Sequence, residues 1–99
     1  MRYWFATIHR APKRDTVSNE FALATLKNHT AYFKELGQTQ KCLIAGPFAE
    51  QNADAFGAGF YVLIAPDEVE ANKLAAADPL VVEGLYDFNL REWMKVVPE

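Results

Sequence analysis

Phe60-Tyr61-Val62-Leu63-Ile64-Ala65-Pro66-Asp67 sets a strand directly against the start of a helix, and the rest of the chain can be ordered around that junction. The six apolar residues are β-branched or aromatic in the main, and Pro66 ends the run because it has no amide proton for a ladder. Asp67 then caps a helix, with Glu70 three residues on in a capping-box arrangement. That helix is predicted to run to about Asp78, where Pro79 interrupts it. Pro79-Leu80-Val81-Val82-Glu83 adds a short turn stopped at Gly84, and Leu85 to Val96 contains a last strand. On the other side, Glu50 to Gly59 is a polar, Gly-containing connection, and Lys41-Cys42-Leu43-Ile44-Ala45 is a strand closed by Gly46-Pro47. Before it, Ala22, Leu26, Phe33 and Leu36 recur at the helical period and predict a helix from Asn19 to Leu36. Ser18 is its expected N-cap and Gly37 its expected left-handed stop. Arg10 to Asp15 is a polar loop, and Tyr3-Trp4-Phe5-Ala6-Thr7-Ile8 is the first strand. Strand, helix, strand, strand, helix, strand is the ferredoxin-like βαββαβ order. It predicts an α+β fold in one domain over residues 1–99, a four-stranded antiparallel sheet with two helices on one face.

Two helices cover one face of such a sheet, so the other face should be polar and the strands should alternate. Three of them do not. Tyr3, Phe5 and Thr7 oppose Trp4, Ala6 and Ile8, and Phe60, Val62 and Ile64 oppose Tyr61, Leu63 and Ala65. The Lys41–Ala45 strand is also apolar on both sides. Only the last strand alternates, with Tyr86, Phe88 and Leu90 against Asp87, Asn89 and Arg91. A monomer would leave several hundred square ångströms of apolar sheet in water, above the usual range. A second copy packed face to face is the expected cover, giving a homodimer.

Composition narrows the partners. Lys and Arg number 10 against 13 Asp and Glu, a formal net charge of −3. Nucleic-acid affinity draws on clustered cations, and the only basic cluster, Arg10, Lys13 and Arg14, is followed at once by Asp15. No nucleic-acid partner is therefore expected. One cysteine, Cys42, rules out an intrachain disulfide framework. No apolar run approaches the ~20 residues of a membrane span. The apolar N-terminus lacks a small-residue cleavage site, so a cytoplasmic protein without a membrane partner is expected.

Few residues carry chemistry. His29 sits three residues after Leu26 and four before Phe33, on the inward face of the first helix. It is either a satisfied core histidine or a general acid or base. Asp78 continues the inward stripe of Ala71, Leu74 and Ala75 at a helix end where a carboxylate opposes the macrodipole. It is either the partner of a histidine or the N-cap of a turn beginning at Pro79. Cys42 has no evident base beside it and reads as a buried apolar residue. His9, His29 and Cys42 have no metal-ligand spacing, so no metal is expected. Gly57-Ala58-Gly59 leads into a strand rather than a helix, which is the wrong context for a dinucleotide loop.

In order and spacing, His29, Gly46-Pro47, Gly57 and Gly59, Ala77-Asp78-Pro79 and Gly84 make the chain similar to the YCII-related proteins, small members of the dimeric α+β barrel superfamily. The resemblance spans nearly the whole chain. It implies a ferredoxin-like protomer, a homodimer, and a His29–Asp78 pair lining a pocket between helices and sheet. One branch of the family resembles a dehydrochlorinase acting on a chlorinated hydroxyquinol. Relatives on the same fold isomerise muconolactones or oxidise small aromatics without a cofactor. The chain departs from the family pattern at Leu80, where an aromatic commonly follows the Asp-Pro.

Together these readings predict a small enzyme working without a cofactor, in which His29 moves a proton on a small ring or carbonyl compound and Asp78 holds its tautomer. Gly46, Pro47, Phe48 and Leu80 are the expected substrate-binding residues. The other reading is a small-ligand-binding or interaction module of the same fold, without turnover.

Overall fold

β1 (Arg2–Arg10) is the strand around which the sheet is built. After it come a 3-10 turn (Pro12–Thr16), α1 (Asn19–Gln38), β2 (Cys42–Pro47), β3 (Gly59–Ala65), α2 (Glu68–Ala76), α3 (Pro79–Val82) and β4 (Tyr86–Trp93). The structure is a computed structural model and describes residues 1–49 and 58–99. Most of the expected Glu50–Gly59 connection, with Gly57, lies outside the described residues. The four strands are ordered β2-β3-β1-β4, and each neighbouring pair is antiparallel. This is the expected ferredoxin-like arrangement.

Pleating sorts the residues of β1 and β3 into two sets. Trp4, Ala6 and Ile8 face the helices with Tyr61, Leu63 and Ala65, and all six are buried. They pack with Ala22, Phe33 and Leu36 of α1 and Ala71 and Ala75 of α2 into one core. Small residues on α2 let that helix sit close to the sheet. On the opposite face Tyr3, Phe5, Phe60 and Ile64 are half-buried. There Phe5 stacks on Phe60 with ring centroids 5.4 Å apart, and Tyr3 meets Trp93 edge-on at 6.2 Å. The expected second apolar face is therefore present, without a helix of the described residues over it. Polar Asn89 and Arg91 pair with Thr7 and Phe5 at its β4 edge.

Caps explain where the helices start. The Ser18 hydroxyl accepts from the Phe21 amide at 3.1 Å, and the Asp67 carboxylate accepts from the Glu70 amide at 2.9 Å. The Glu70 side chain takes the Lys73 ammonium instead of closing the box. The end of α1 differs from the sequence expectation. The helix passes through Gly37 to Gln38, and the left-handed residue is Gln40, with φ 60°. The reversal is stabilised by backbone bonds from Lys41 to Leu36 and from Gln40 to Gly37, which satisfy the last carbonyls. The expected stop at Gly84 is present, with φ 73°. α2 ends two residues short of Asp78, which opens α3.

At the β2–β3 seam, Gly46 faces Phe60 and Pro47 faces Gly59, and a bulge between Cys42 and Ile44 shifts the register. A Cβ on Gly59 would lie 2.3 Å from the Gly46 carbonyl oxygen and 2.8 Å from Pro47 Cα. Both obstacles are backbone, so the strands must separate to admit it. Gly59→Ala is expected to destabilise the fold by about 1–3 kcal/mol, the usual cost of overpacking, as read by urea denaturation. An unchanged midpoint would show that the seam is not tight.

Candidate functional site

α1 carries His29 one helical turn before Phe33, on the stripe that faces the sheet. α3 packs against α1 and brings Asp78 to it. The His29 Nδ1 and the Asp78 Oδ1 are 2.7 Å apart. Asp78 is fully buried and the His29 side chain is 17% exposed. A carboxylate offers only acceptors, so Nδ1 carries the proton and donates it. Nε2 is then the ring nitrogen left for chemistry. The same Oδ1 accepts from the Leu80 amide at 2.9 Å. The two sequence readings of Asp78, helix cap and histidine partner, are thus both true of one oxygen atom. Its other oxygen, Oδ2, is buried with no partner among the described residues.

His29 opens onto a cavity of about 490 Å³ between α1 and the sheet. α1 supplies Leu26, Thr30, Phe33 and Lys34, β2 supplies Cys42–Pro47, and β3 supplies Gly59–Tyr61. The walls are mostly apolar. Among the lining residues His29, Thr30, Lys34, Cys42 and Tyr61 carry polar side-chain groups, a minority within an apolar wall as is usual for small-molecule sites. The Thr30 hydroxyl also donates to the Leu26 carbonyl at 3.1 Å, so its remaining capacity is as an acceptor.

The expected binding residues divide. Gly46 and Pro47 line the cavity. Phe48 does not. It lies beside Phe60, centroids 6.4 Å apart, on the sheet face away from Tyr61. Pleating decides this, because Phe48 follows Pro47 and points the other way. Leu80 is also absent from the walls. It is 2% exposed and belongs to the core, since the second position of α3 points inward. The contribution of Leu80 to the site is its amide, which orients Asp78.

Sequence reading missed Tyr61 and Phe33 as cavity residues, treating both as core. Phe33 touches the His29 ring at 5.0 Å and the Tyr61 ring at 4.5 Å. The signal was a hydroxyl on the helix-facing side of β3, a polar atom on an otherwise apolar surface. Burial pushes the Tyr61 phenol far up, and the Asp78 charge pushes it further. Burial also raises Tyr32, whose hydroxyl donates to the Leu74 carbonyl at 2.7 Å and ties α1 to α2. Both phenols stay protonated and serve only as neutral groups. Burial raises the Cys42 thiol as well, and its sulfur contacts the Ile44 carbonyl at 3.2 Å, so it is a poor nucleophile at neutral pH. Among the described residues no three metal-ligating side chains lie together, and no helix is long and apolar enough to cross a membrane.

A family model described as YCII-related domain matches residues 1–94. No curated protein is significantly similar in sequence. Among solved structures, the chain is similar to 5-chloro-2-hydroxyhydroquinone dehydrochlorinase (TftG) from Burkholderia phenoliruptrix AC1100, in complex with 2,5-dihydroxybenzoquinone. That match has a TM-score of 0.66 at 19% identity and covers 95% of this chain and 94% of the other. An antibiotic biosynthesis monooxygenase is also similar, with a TM-score of 0.51 at 18% identity over 99% of this chain and 100% of the other. At these identities the likeness is one of fold, the ferredoxin-like α+β fold described above.

The double use of Asp78 Oδ1 separates two substitutions. Asp78→Ala deprives both donors and is expected to cost about 2–4 kcal/mol, combining a lost cap with a broken buried pair. Asp78→Asn keeps an acceptor for the Leu80 amide and should cost at least ~1 kcal/mol less. Urea denaturation of both variants checks this, and equal losses would refute the capping role.

Proposed function

The chain belongs to the YCII-related domain family, and from that premise we propose that it is a small enzyme moving a proton on a ring or carbonyl compound. His29 is its acid–base group and Asp78 the residue that holds it. The observation that carries this reading is the 2.7 Å Nδ1–Oδ1 bond at the edge of an apolar cavity. With the Nδ1 proton committed to Asp78, the Nε2 lone pair takes a proton from a C–H or O–H of the bound molecule. The imidazolium so formed is stabilised by the buried carboxylate, as in other histidine–carboxylate pairs. Returning that proton to a neighbouring atom completes an isomerisation. Losing a leaving group such as halide from the resulting anion completes an elimination.

The walls fit such a substrate. A cavity near 490 Å³ takes a single substituted ring, and the apolar lining from Leu26 and Phe33 keeps water from competing for the proton. Gly46 and Pro47 form the β2 wall, and Lys34 places a positive charge where a phenolate or carboxylate would gain from it. The named substrate of the dehydrochlorinase relative, a chlorinated hydroxyhydroquinone, is of this size and kind. The reaction as written calls for no redox cofactor, because a proton and a halide leaving with its bonding pair balance without any outside oxidant or reductant.

The active form in this proposal is a homodimer joined through the aromatic face of Tyr3, Phe5, Phe60 and Trp93. What supports it is that these half-buried rings form a continuous patch, next to Ile44 at 50% exposure. Light scattering at micromolar concentration should give twice the 11.2 kDa chain mass. A monomer there would remove the dimer from the proposal.

The enzymatic reading is tested with 5-chloro-2-hydroxyhydroquinone by chloride release, and with 2,5-dihydroxybenzoquinone by calorimetric binding. Turnover is expected, and His29→Gln should lower kcat by about 10²–10⁴-fold, the usual worth of a general acid or base. Binding of the quinone without turnover of chlorinated hydroquinones or enol lactones would replace the enzyme by a ligand-binding module. Full activity in His29→Gln would remove the mechanism.

A further inference from the structure

Lys34 is the only permanently charged residue among the described walls of the cavity, and no carboxylate lines it. This runs against the balance of the chain, in which 13 acidic residues outnumber 10 basic ones. A helical lysine is readily neutralised by an acid three or four residues away, as Lys73 is by Glu70. The corresponding neighbours of Lys34 are Thr30, Ala31, Gly37 and Gln38, none of them acidic. Glu35 is the next residue and lies about 100° further around the helix. Lys34 makes no ion pair among the described residues. The Thr30 hydroxyl has its proton engaged by the Leu26 carbonyl, so the Lys34 ammonium is the donor at this end of the cavity.

Gly37 stands one turn beyond Lys34 and also lines the cavity. Both residues are exposed, whereas Phe33 is buried, so they mark the open end. Among the described glycines only Gly84 has a positive φ, and a Cβ on Gly37 would meet nothing within 4 Å. Neither backbone conformation nor packing therefore calls for glycine here. Within a helix glycine is less favourable than alanine by about fivefold in equilibrium constant. What the missing side chain leaves is room beside the Lys34 ammonium. Along α1, His29 and Lys34 are separated by about 7.5 Å of axial rise and about 140° of rotation, which sets them at opposite edges of the cavity stripe. Phe33 and Gly37 lie between them on that stripe.

We propose that Lys34 and Gly37 form a subsite for a carboxylate-bearing substituent, so that the ring this cavity takes is an aromatic or enolic acid with its carboxylate remote from the atom facing His29. Lys34 supplies the charge and Gly37 the space. A carboxylate fits better than an ordinary phenol, because at neutral pH the first is ionised and the second is not. The inference rests on the proposed function for what happens at His29, while the subsite itself concerns binding alone.

The probes are 4-hydroxybenzoate and its neutral counterpart of the same shape, 4-hydroxybenzamide, titrated into the protein by calorimetry and by ¹H–¹⁵N NMR. The acid should bind about fivefold more tightly, the order expected of an ion pair partly open to water, and the preference should shrink as salt is raised. Its titration should move the Gly37 amide resonance. Lys34→Gln should abolish the preference and leave the affinity for the amide unchanged. Lys34→Arg should keep it, and so should Lys27→Gln, which removes the same charge from an exposed position of α1 outside the cavity walls. Gly37→Leu fills the space and should weaken both ligands about tenfold; if that variant does not fold, Lys34→Gln decides. Equal affinities in the unaltered protein, a preference that survives Lys34→Gln, or binding of neither ring would overturn the proposal. A Lys34-dependent preference in a protein that converts no substrate would count against the proposed function only. Turnover of a ring whose KM is indifferent to Lys34→Gln would count against the subsite only.

Discussion

One oxygen atom, Oδ1 of Asp78, joins the two halves of the fold at the point where the candidate chemistry sits. It takes the Nδ1 proton of His29 on α1 and the amide proton of Leu80 on α3. The first bond links segments 49 residues apart, and the second starts a helix of four residues that has little stability of its own. α3 is held in place by its cap, by Leu80 in the core and by packing on α1. Loss of the carboxylate would therefore release both the turn and the imidazole. A structural duty and a positioning duty fall on the same atom, so selection for a folded chain also preserves the orientation of His29.

The sheet imposes a second constraint by having two different faces. Toward the helices it carries Trp4, Ala6, Ile8, Tyr61 and Leu63, closed by α1 and α2 into the core. The cavity lies on this side, at the β2 edge, where α1 stands over the sheet without filling the space down to β2 and β3. Gly37 contributes to that space, since a Cβ there would meet nothing within 4 Å. Toward the other side the sheet shows paired aromatic rings, with no helix of the described residues over them. Site and aromatic face share β3, whose residues alternate between them, Tyr61 to one and Phe60 mainly to the other.

Strand and helix order were legible because proline, glycine and cap residues punctuate this chain clearly. Ser18, Asp67, Pro66, Pro79 and Gly84 all act as their chemistry predicts. Gly37 misled because a glycine near a helix end need not be its stop. The turn was instead made by Gln40, whose backbone is held by bonds from the residues around it. His29 was legible as an inward residue from spacing alone. Its meeting with Asp78 was implied only by the family resemblance, because helical periodicity fixes a face and says nothing of which residue of another helix lies opposite. Phe48 and Leu80 were misplaced for the same reason. Proximity in sequence to Gly46-Pro47 and to Asp78 does not survive one step of pleat or one third of a helical turn. Tyr61 was hidden by its ring, which satisfies an apolar pattern while its hydroxyl does not.

The position of β1 has a kinetic consequence. It is the first strand of the chain, yet its neighbours are β3 and β4, and the Arg2–Glu92 ion pair spans 90 residues of sequence. Pairings this distant must close long loops before they return any stabilisation, which raises contact order and slows folding. As the chain is made, β1 emerges with an apolar surface on both sides and waits for β3 and β4, which are synthesised after α1 and β2. Until β4 arrives, one edge of β1 is open to any extended segment of another molecule. The two-sided apolar strand that builds the centre of the finished sheet is therefore also the stretch most in need of protection while the protein is incomplete.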